Sequence, residues 1–139
     1  MPRHDIYHDV VKNALVKDGW RITHDPLILP YGGRNLYVDI GAEAPIGAEK
    51  EGRQIAVEVK SFLGGSEIME LERALGQYIL YRFLLARQEP ERRLFLAFPR
   101  SAYNNILNEP AEGRDFIVTQ DLKLMVFDPD REVIIQWIE

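Results

Sequence analysis

The order of predicted elements indicates an α/β protein whose mixed β-sheet is covered by helices on both sides. A long helical pattern at residues 67–88 is followed by a short, fully apolar strand at residues 94–98. A strand of that kind is typical of burial on both faces. A first helical pattern at residues 5–18 precedes a group of strands. Helices before and after strands are typical of layered α/β folds.

The two main helices have clear start and stop signals. In the first helix, apolar residues recur at helical spacing, Asp5 is the expected N-cap and Gly19 follows the end. The long helix has Ser66 as its expected N-cap and ends before Pro90. A short third helix is predicted from Ser101 to about residue 107. The positions that follow the period of the long helix are Leu71, Leu75, Tyr78, Ile79, Arg82 and Leu85.

The remaining elements are strands and turns. Besides residues 94–98, strands are predicted at residues 20–23, 27–29, 35–40, 53–62, 122–127 and 133–138. Pro30, Gly32 and Gly33 predict a turn, and residues 41–52, with Gly41, Pro45, Gly47 and Gly52, predict a loop. The last two strands flank Asp128-Pro129-Asp130, which predicts a C-terminal β-hairpin.

Length and composition narrow the class of protein. A chain of 139 residues predicts one domain over residues 1–139, and no internal repeat is visible. The chain has no cysteine, which excludes disulfides, thiolate zinc sites and a cysteine nucleophile. Its formal net charge of −5 argues against a general nucleic-acid binder. Any DNA contact therefore needs a local basic patch, a metal ion or a partner.

The chain shows no sign of membrane insertion or export. No apolar run approaches the roughly 18 residues of a membrane span. The N-terminal residues lack the charged-then-apolar layout of a signal peptide. We expect a cytoplasmic protein with no membrane partner.

The strand at residues 53–62 carries charge inside an apolar run. Residues two apart in a strand share a face, so Glu58 and Lys60 project together while Val57 and Val59 face the other way. A solvated ion pair, worth about 0–1 kcal/mol, explains this pattern without any function.

Asp39 gives the pattern a second explanation. If the strands at residues 35–40 and 53–62 pair, Asp39 and Glu58 approach each other on one face. Two neighbouring carboxylates repel unless one is protonated, or a cation such as Mg²⁺ or Mn²⁺ lies between them. A lysine beside them can stabilise negative charge or orient water. The backbone carbonyl of Val59 is a further expected metal ligand.

This arrangement resembles the motif of the PD-(D/E)XK nucleases. Asp39, a loop and then Glu58-Val59-Lys60 stand in the motif order, although Val38 replaces the proline that often precedes the aspartate. The resemblance implies a restriction-endonuclease-like fold and a DNA substrate. It also implies catalysis by Asp39, Glu58 and Lys60, with Mg²⁺ or Mn²⁺ held by Asp39, Glu58 and Val59.

Two further features fit the same superfamily. Gln77 and Tyr81, one helical turn apart, resemble the Q-x-x-x-Y element of its RecB-like members. An ordinary surface glutamine and a partly buried tyrosine would explain them equally well. Members often take one more acidic ligand from the first helix. Here His8 occupies that position, with Asp9 beside it and Asp5 a turn earlier.

The whole chain is similar to the XisH family of fdxN element excision controlling factors. The stretches that carry this similarity are DIYHDVVKNALVKDGW, YVDIGAE, IAVEVKSF, ALGQYILYR and IIQWIE. The resemblance implies an accessory protein of programmed DNA excision that works with a XisI-type partner. A nuclease is one interpretation. The alternative is a catalytically inactive regulatory or interaction module that controls a site-specific recombinase together with XisI.

Two other patterns have weaker interpretations. His4 and His8 are four residues apart, as zinc-binding histidines on a helix are, but the sequence lacks the glutamate of that motif. The apolar C-terminal hairpin can serve as a homodimer or partner surface, and core packing explains it as well. Its apolar residues are Ile134, Ile135, Trp137 and Ile138.

Overall fold

The computed structural model describes residues 5–44 and 52–139. His4, Pro45 and Gly47 therefore lie outside the described residues. The helices are α1 (His8–Lys17), α2 (Glu67–Gln88), α3 (Arg100–Tyr103), a π-helical segment (Asn104–Asn108) and α4 (Ala111–Thr119). The strands are β1 (Arg21–His24), β2 (Leu27–Tyr31), β3 (Arg34–Val38), β4 (Ile40–Glu43), β5 (Gln54–Val59), β6 (Arg92–Pro99), β7 (Leu124–Asp128) and β8 (Val133–Ile138).

The described strands form a six-stranded mixed sheet and a separate two-stranded sheet. The large sheet has the order β1-β4-β5-β6-β7-β8, and β2 pairs with β3 in the small one. The central strands β5, β6 and β7 are parallel, and the outer pairs are antiparallel. The predicted mixed sheet with helices on both sides is therefore confirmed.

Each face of the large sheet has its own hydrophobic core. On one face, Val57 and Val59 pack with Val11 and Leu15 of α1. On the other face, Ala56 and Leu96 pack with Tyr78 and other residues of α2, and this core continues under α3 and α4. The strands between these two cores are buried on both sides, as the apolar run at residues 94–98 predicts.

The predicted strand at residues 35–40 is wrong as a single element. It divides into β3 and β4, which belong to different sheets, and Asp39 is the bend between them. Val38 and Ile40 would share a face in a continuous strand, yet they pack into opposite cores. The predicted strand at residues 53–62 also ends early, at Val59.

The first helix begins later than predicted. Asp5 does not cap it, because α1 begins at His8 and its N-cap residue, Tyr7, makes no side-chain capping bond. Asp5 Oδ1 instead accepts from the Tyr7 N–H at 2.9 Å. Gly19 follows the helix with a φ of +95°, a conformation that favours glycine.

The long helix has its predicted bounds and cap. Ser66 accepts a hydrogen bond from the Met69 N–H at 3.3 Å. Its buried face differs from the predicted one, because Ile79 is exposed, whereas Tyr81 is buried.

The helices after β6 differ most from the prediction. Pro99 rather than Ser101 precedes the short helix α3, which continues into the π-helical segment. Helix α4 was not predicted, since its large apolar residues, Phe116, Ile117 and Val118, are consecutive rather than spaced at helical intervals.

The C-terminal hairpin is confirmed by the antiparallel pairing of β7 and β8. Ile134 and Trp137 pack against one core, and Ile138 packs against the other. Trp137 also stacks at a tilt against the buried Trp20, with ring centroids 5.8 Å apart. Within the described ranges, no helix is long and apolar enough to cross a membrane.

Candidate active site

The break at Asp39 places two carboxylates side by side. In the antiparallel pairing of β4 and β5, Ile40 lies opposite Val57, so Asp39 lies next to Glu58. The Asp39 N–H donates to Glu58 Oε1 at 3.1 Å, and the Val59 N–H donates to Asp39 Oδ2 at 2.7 Å. Each carboxylate is therefore fixed by a backbone N–H of the other strand.

Burial and mutual repulsion govern the ionisation of this pair. Glu58 is only 5% exposed. Burial, and then the negative charge of Asp39, raise the pKa of Glu58 to about 8, although the nearby Lys60 opposes the shift. Burial also raises the pKa of Asp39, against the lowering effect of the hydrogen bond from Val59. The pair therefore retains a proton near neutral pH when no cation neutralises it.

Lys60 lies just beyond the end of β5, beside the two carboxylates. Its Nζ is 3.6 Å from Glu58 Oε2 and donates a hydrogen bond to Gln77 Oε1 of α2. The Lys60 side chain is 22% exposed, which leaves its amine in contact with solvent. Gln77 therefore holds the lysine at the mouth of the site.

Tyr81 forms a buried wall one turn further along α2. Burial, with the charges of Glu58 and Asp39, raises the pKa of Tyr81 to about 12. Its hydroxyl therefore stays protonated and can donate a hydrogen bond at any ordinary pH. Gln77 and Tyr81 both line the cavity that contains the two carboxylates.

The cavity has a volume of about 420 Å³. Its lining residues are Asp5, Asn35, Leu36, Tyr37, Asp39, Glu58, Val59, Lys60, Gln77 and Tyr81. Seven of these lining residues were named from the sequence, namely Asp5, Asp39, Glu58, Val59, Lys60, Gln77 and Tyr81. They come from four separate segments of the chain.

The residue from the N-terminal segment that lines the cavity is Asp5. Its Oδ2 accepts from the Ser61 N–H at 3.1 Å, which ties the N-terminal segment to the chain just after Lys60. His8 lies beside the site rather than on its wall, and its Nε2 is 2.7 Å from Asp25 Oδ1. When it is positively charged, His8 lowers the pKa of Asp39. Asp9 is exposed.

Asn35 and Tyr37 were not predicted to belong to the site. They precede Asp39 by four and two residues, the spacing at which residues of an extended segment share a face. That alternation is only a partial signal, because the chain bends at Asp39, and Leu36, between Asn35 and Tyr37, also lines the cavity.

The residues present suit a cation that takes few protein ligands. Across residues 5–44 and 52–139, no three His, Cys, Asp or Glu side chains form a metal-binding group. Mg²⁺ commonly uses one or two carboxylates and completes its shell with water and phosphate oxygens. The half-buried Asp39 and the buried Glu58, whose mutual repulsion a cation would relieve, fit that chemistry.

The zinc interpretation gains no support from His8. Its partner in the sequence pattern, His4, lies outside the described residues. His8 Nε2 contacts Asp25, which also accepts a hydrogen bond from Lys12 at 2.7 Å.

Comparisons with known proteins give one consistent family. The family model described as XisH protein matches residues 1–135. An XisH family protein from Nostoc punctiforme PCC 73102 is 46% identical, with a TM-score of 0.85, over 97% of this chain and 100% of that one. An fdxN element excision controlling factor protein from Anabaena variabilis is 45% identical, also with a TM-score of 0.85, over 98% and 100%. No curated protein matches significantly.

Proposed function

The chain belongs to the XisH family, and we propose that it is an accessory protein of programmed DNA element excision that acts as a divalent-metal-dependent DNA endonuclease. The name of the Anabaena relative, an excision controlling factor, supports the excision role. We further propose that the mixed sheet is a restriction-endonuclease-like fold, because Asp39 and Glu58-Val59-Lys60 follow the PD-(D/E)XK order.

One observation carries the nuclease proposal. Asp39, Glu58 and Lys60 share one cavity, where the buried carboxylate of Glu58 and the half-buried carboxylate of Asp39 face a solvent-accessible amine. Burying one carboxylate beside a second, half-buried one is unfavourable for folding. A surface ion pair between Glu58 and Lys60 would not require the carboxylate of Asp39 to lie beside Glu58.

Each side chain has a defined task in phosphodiester hydrolysis. Asp39, Glu58 and the Val59 carbonyl would hold Mg²⁺ or Mn²⁺, which when bound supplies positive charge opposite the scissile phosphate. Lys60 orients the attacking water and stabilises the charge that develops on the phosphate. Gln77 fixes the Lys60 amine, and the Tyr81 hydroxyl donates to a phosphate oxygen or supports a carboxylate. His8 supports Asp39 through its charge.

The acidic chain needs help to approach DNA. A net charge of −5 repels the phosphate backbone, so a cation and a XisI-type partner are the proposed sources of affinity. We propose that DNA enters from the side where Lys60 and Gln77 reach solvent.

A second candidate is an inactive module that controls a site-specific recombinase together with XisI. The observation in its favour is that Asp39 and Glu58 already accept hydrogen bonds from backbone N–H groups. A pair of this kind, sharing a proton, also joins β4 to β5 without any cation.

Cleavage assays distinguish the two candidates. Supercoiled, linear and branched DNA would be incubated with the protein and Mg²⁺ or Mn²⁺, with and without XisI. Lys60→Ala and Asp39→Ala, shown to be folded, would run beside Lys123→Ala as a matched control. Lys123 is similarly accessible, at 19% exposed, and pairs with Asp121 away from the cavity.

The nuclease proposal expects cutting that both site variants abolish and the control retains. Absence of cutting under every condition, with both site variants still supporting excision in cells, would establish the inactive module instead.

A further inference from the structure

The outward face of α2 is unusually apolar for a helix that contacts solvent. Five large hydrophobic side chains are exposed along it: Ile68, Met69, Ile79, Leu80 and Phe83. Ile79 and Phe83 are each more than half exposed. Large exposed apolar side chains that cluster on one helix face, as Ile79, Leu80 and Phe83 do, are typical of an interaction site.

Gly76 lies at the centre of this face, and nothing in the fold of a single chain requires a glycine at this position. A Cβ at this position would meet nothing within 4 Å, and the backbone is not in the left-handed region. Glycine inside a helix is less favourable than alanine by about 0.8–1.0 kcal/mol. The absence of a side chain leaves a notch in the surface between Arg73 and Leu80.

The exposed face is complementary to itself in an antiparallel arrangement. Let a two-fold axis pass between Ile79 and Leu80. Phe83 of one copy then lies opposite Gly76 of the other, so an aromatic ring meets the notch. Glu72 lies opposite Arg87, which creates two ion pairs. At about 100° per residue, these positions all fall within one stripe of the helix surface.

We propose that α2 is the interface of a symmetric homodimer of this chain. The two helices pack antiparallel, and Phe83 enters the Gly76 notch of the second copy. Small residues allow close approach of helix backbones, and opposite charges at matched distances fix the register.

The proposed interface leaves the candidate site intact and does not depend on the proposed function. Gln77 and Tyr81 point from another side of α2 into the cavity. The C-terminal hairpin, which the sequence offers either as a homodimer or partner surface or as part of the core, packs Ile134 and Trp137 into a core. It is therefore a weaker candidate than the exposed stripe.

Sedimentation equilibrium of the full chain tests the dimer. The wild type is expected to dimerise in the micromolar range. Gly76→Leu fills the notch, so it is expected to yield a monomer whose melting temperature is raised, which excludes misfolding as the cause. Phe83→Asp is expected to weaken the dimer by about tenfold or more. Val118→Asp, on the exposed surface of α4, is the matched control and is expected to have no effect.

A charge exchange tests the register. Glu72→Arg and Arg87→Glu are each expected to weaken the dimer severalfold, and the double variant is expected to restore it. Because the chain has no cysteine, Leu80→Cys supplies a single thiol near the axis that is expected to form a disulfide between copies on oxidation. A wild type that stays monomeric, or a dimer indifferent to Gly76→Leu and Phe83→Asp, would overturn the proposal.

Discussion

The two faces of strand β5 serve opposite purposes. Val57 and Val59 face α1 and lie in a closed apolar core. On the other face, Glu58 is as deeply buried, but it lies beside Asp39 and below the Lys60 amine. Burial of apolar side chains stabilises the fold, whereas burial of a second carboxylate opposes it. One strand therefore combines a stabilising face with a face that stability alone does not explain.

The largest effect on stability is expected from placing a carboxylate on the apolar face of β5. Val57→Glu places a carboxylate among Val11, Leu15 and Phe95 in the apolar core on this face. Replacing a core side chain with an unpaired charge is expected to cost about 3–5 kcal/mol or more. Urea denaturation followed by circular dichroism measures this loss, and a variant as stable as the wild type would contradict the described core.

The next largest effect is expected on DNA cleavage rather than on stability. Lys60→Met removes the amine from the site, and cleavage is expected to fall by about 10²–10³-fold. Stability is expected to change by less than about 1 kcal/mol, because a partly exposed ion pair contributes little. Parallel cleavage and denaturation measurements test this separation. A loss of both together would show that Lys60 is mainly structural.

A smaller effect with a distinctive pH dependence is expected from Glu58→Gln. The pKa of Glu58 is raised to about 8 in the folded chain, so the folded state holds a proton that the unfolded state has already released. Wild-type stability is therefore full below the unfolded pKa and falls as pH rises toward 8. The glutamine variant lacks this loss.

Thermal unfolding across pH measures the difference between the two proteins. Near pH 5 their melting temperatures are expected to agree. At pH 8 the variant is expected to melt at a higher temperature than the wild type, because only the wild type loses proton-linked stability as the pH rises. A constant offset across pH would show that the pair is not protonated as described.

The smallest effect is expected from Tyr81→Phe. The ring stays in the hydrophobic core between α2 and the sheet, and only the hydroxyl is lost. The free energy of unfolding is therefore expected to change by about 1 kcal/mol or less. If the hydroxyl contacts the substrate phosphate, cleavage is expected to fall by about tenfold, with the Michaelis constant raised. Unchanged kinetics would make Tyr81 a wall of the cavity only.

Sequence periodicity correctly predicted the helices and strands whose apolar residues all pack on one side of the element. The bounds of α2 and β8 follow from their patterns, and the cap at Ser66 follows from its residue type. The period-2 pattern also placed Glu58 and Lys60 apart from Val57 and Val59. These predictions succeed because each depends on local geometry.

The wrong predictions occur where tertiary contacts, rather than the local sequence, determine the structure. Nothing local shows that the chain changes sheets at Asp39, since Val38 and Ile40 are equally apolar. The contact between Asp5 and the Ser61 N–H spans distant parts of the chain, so it is invisible in the sequence. Ile79 fits the helical period, but α2 turns it to solvent.

Binding of a divalent cation tests most directly whether the polar face of β5 is a functional site. Calorimetric titration of the wild type with Mn²⁺ near pH 8 would be compared with Asp39→Asn, with melting temperatures measured in parallel. The proposal predicts one saturable site per chain that raises the melting temperature of the wild type and is absent from the variant. Equal heats and equal melting temperatures for the two proteins would contradict it.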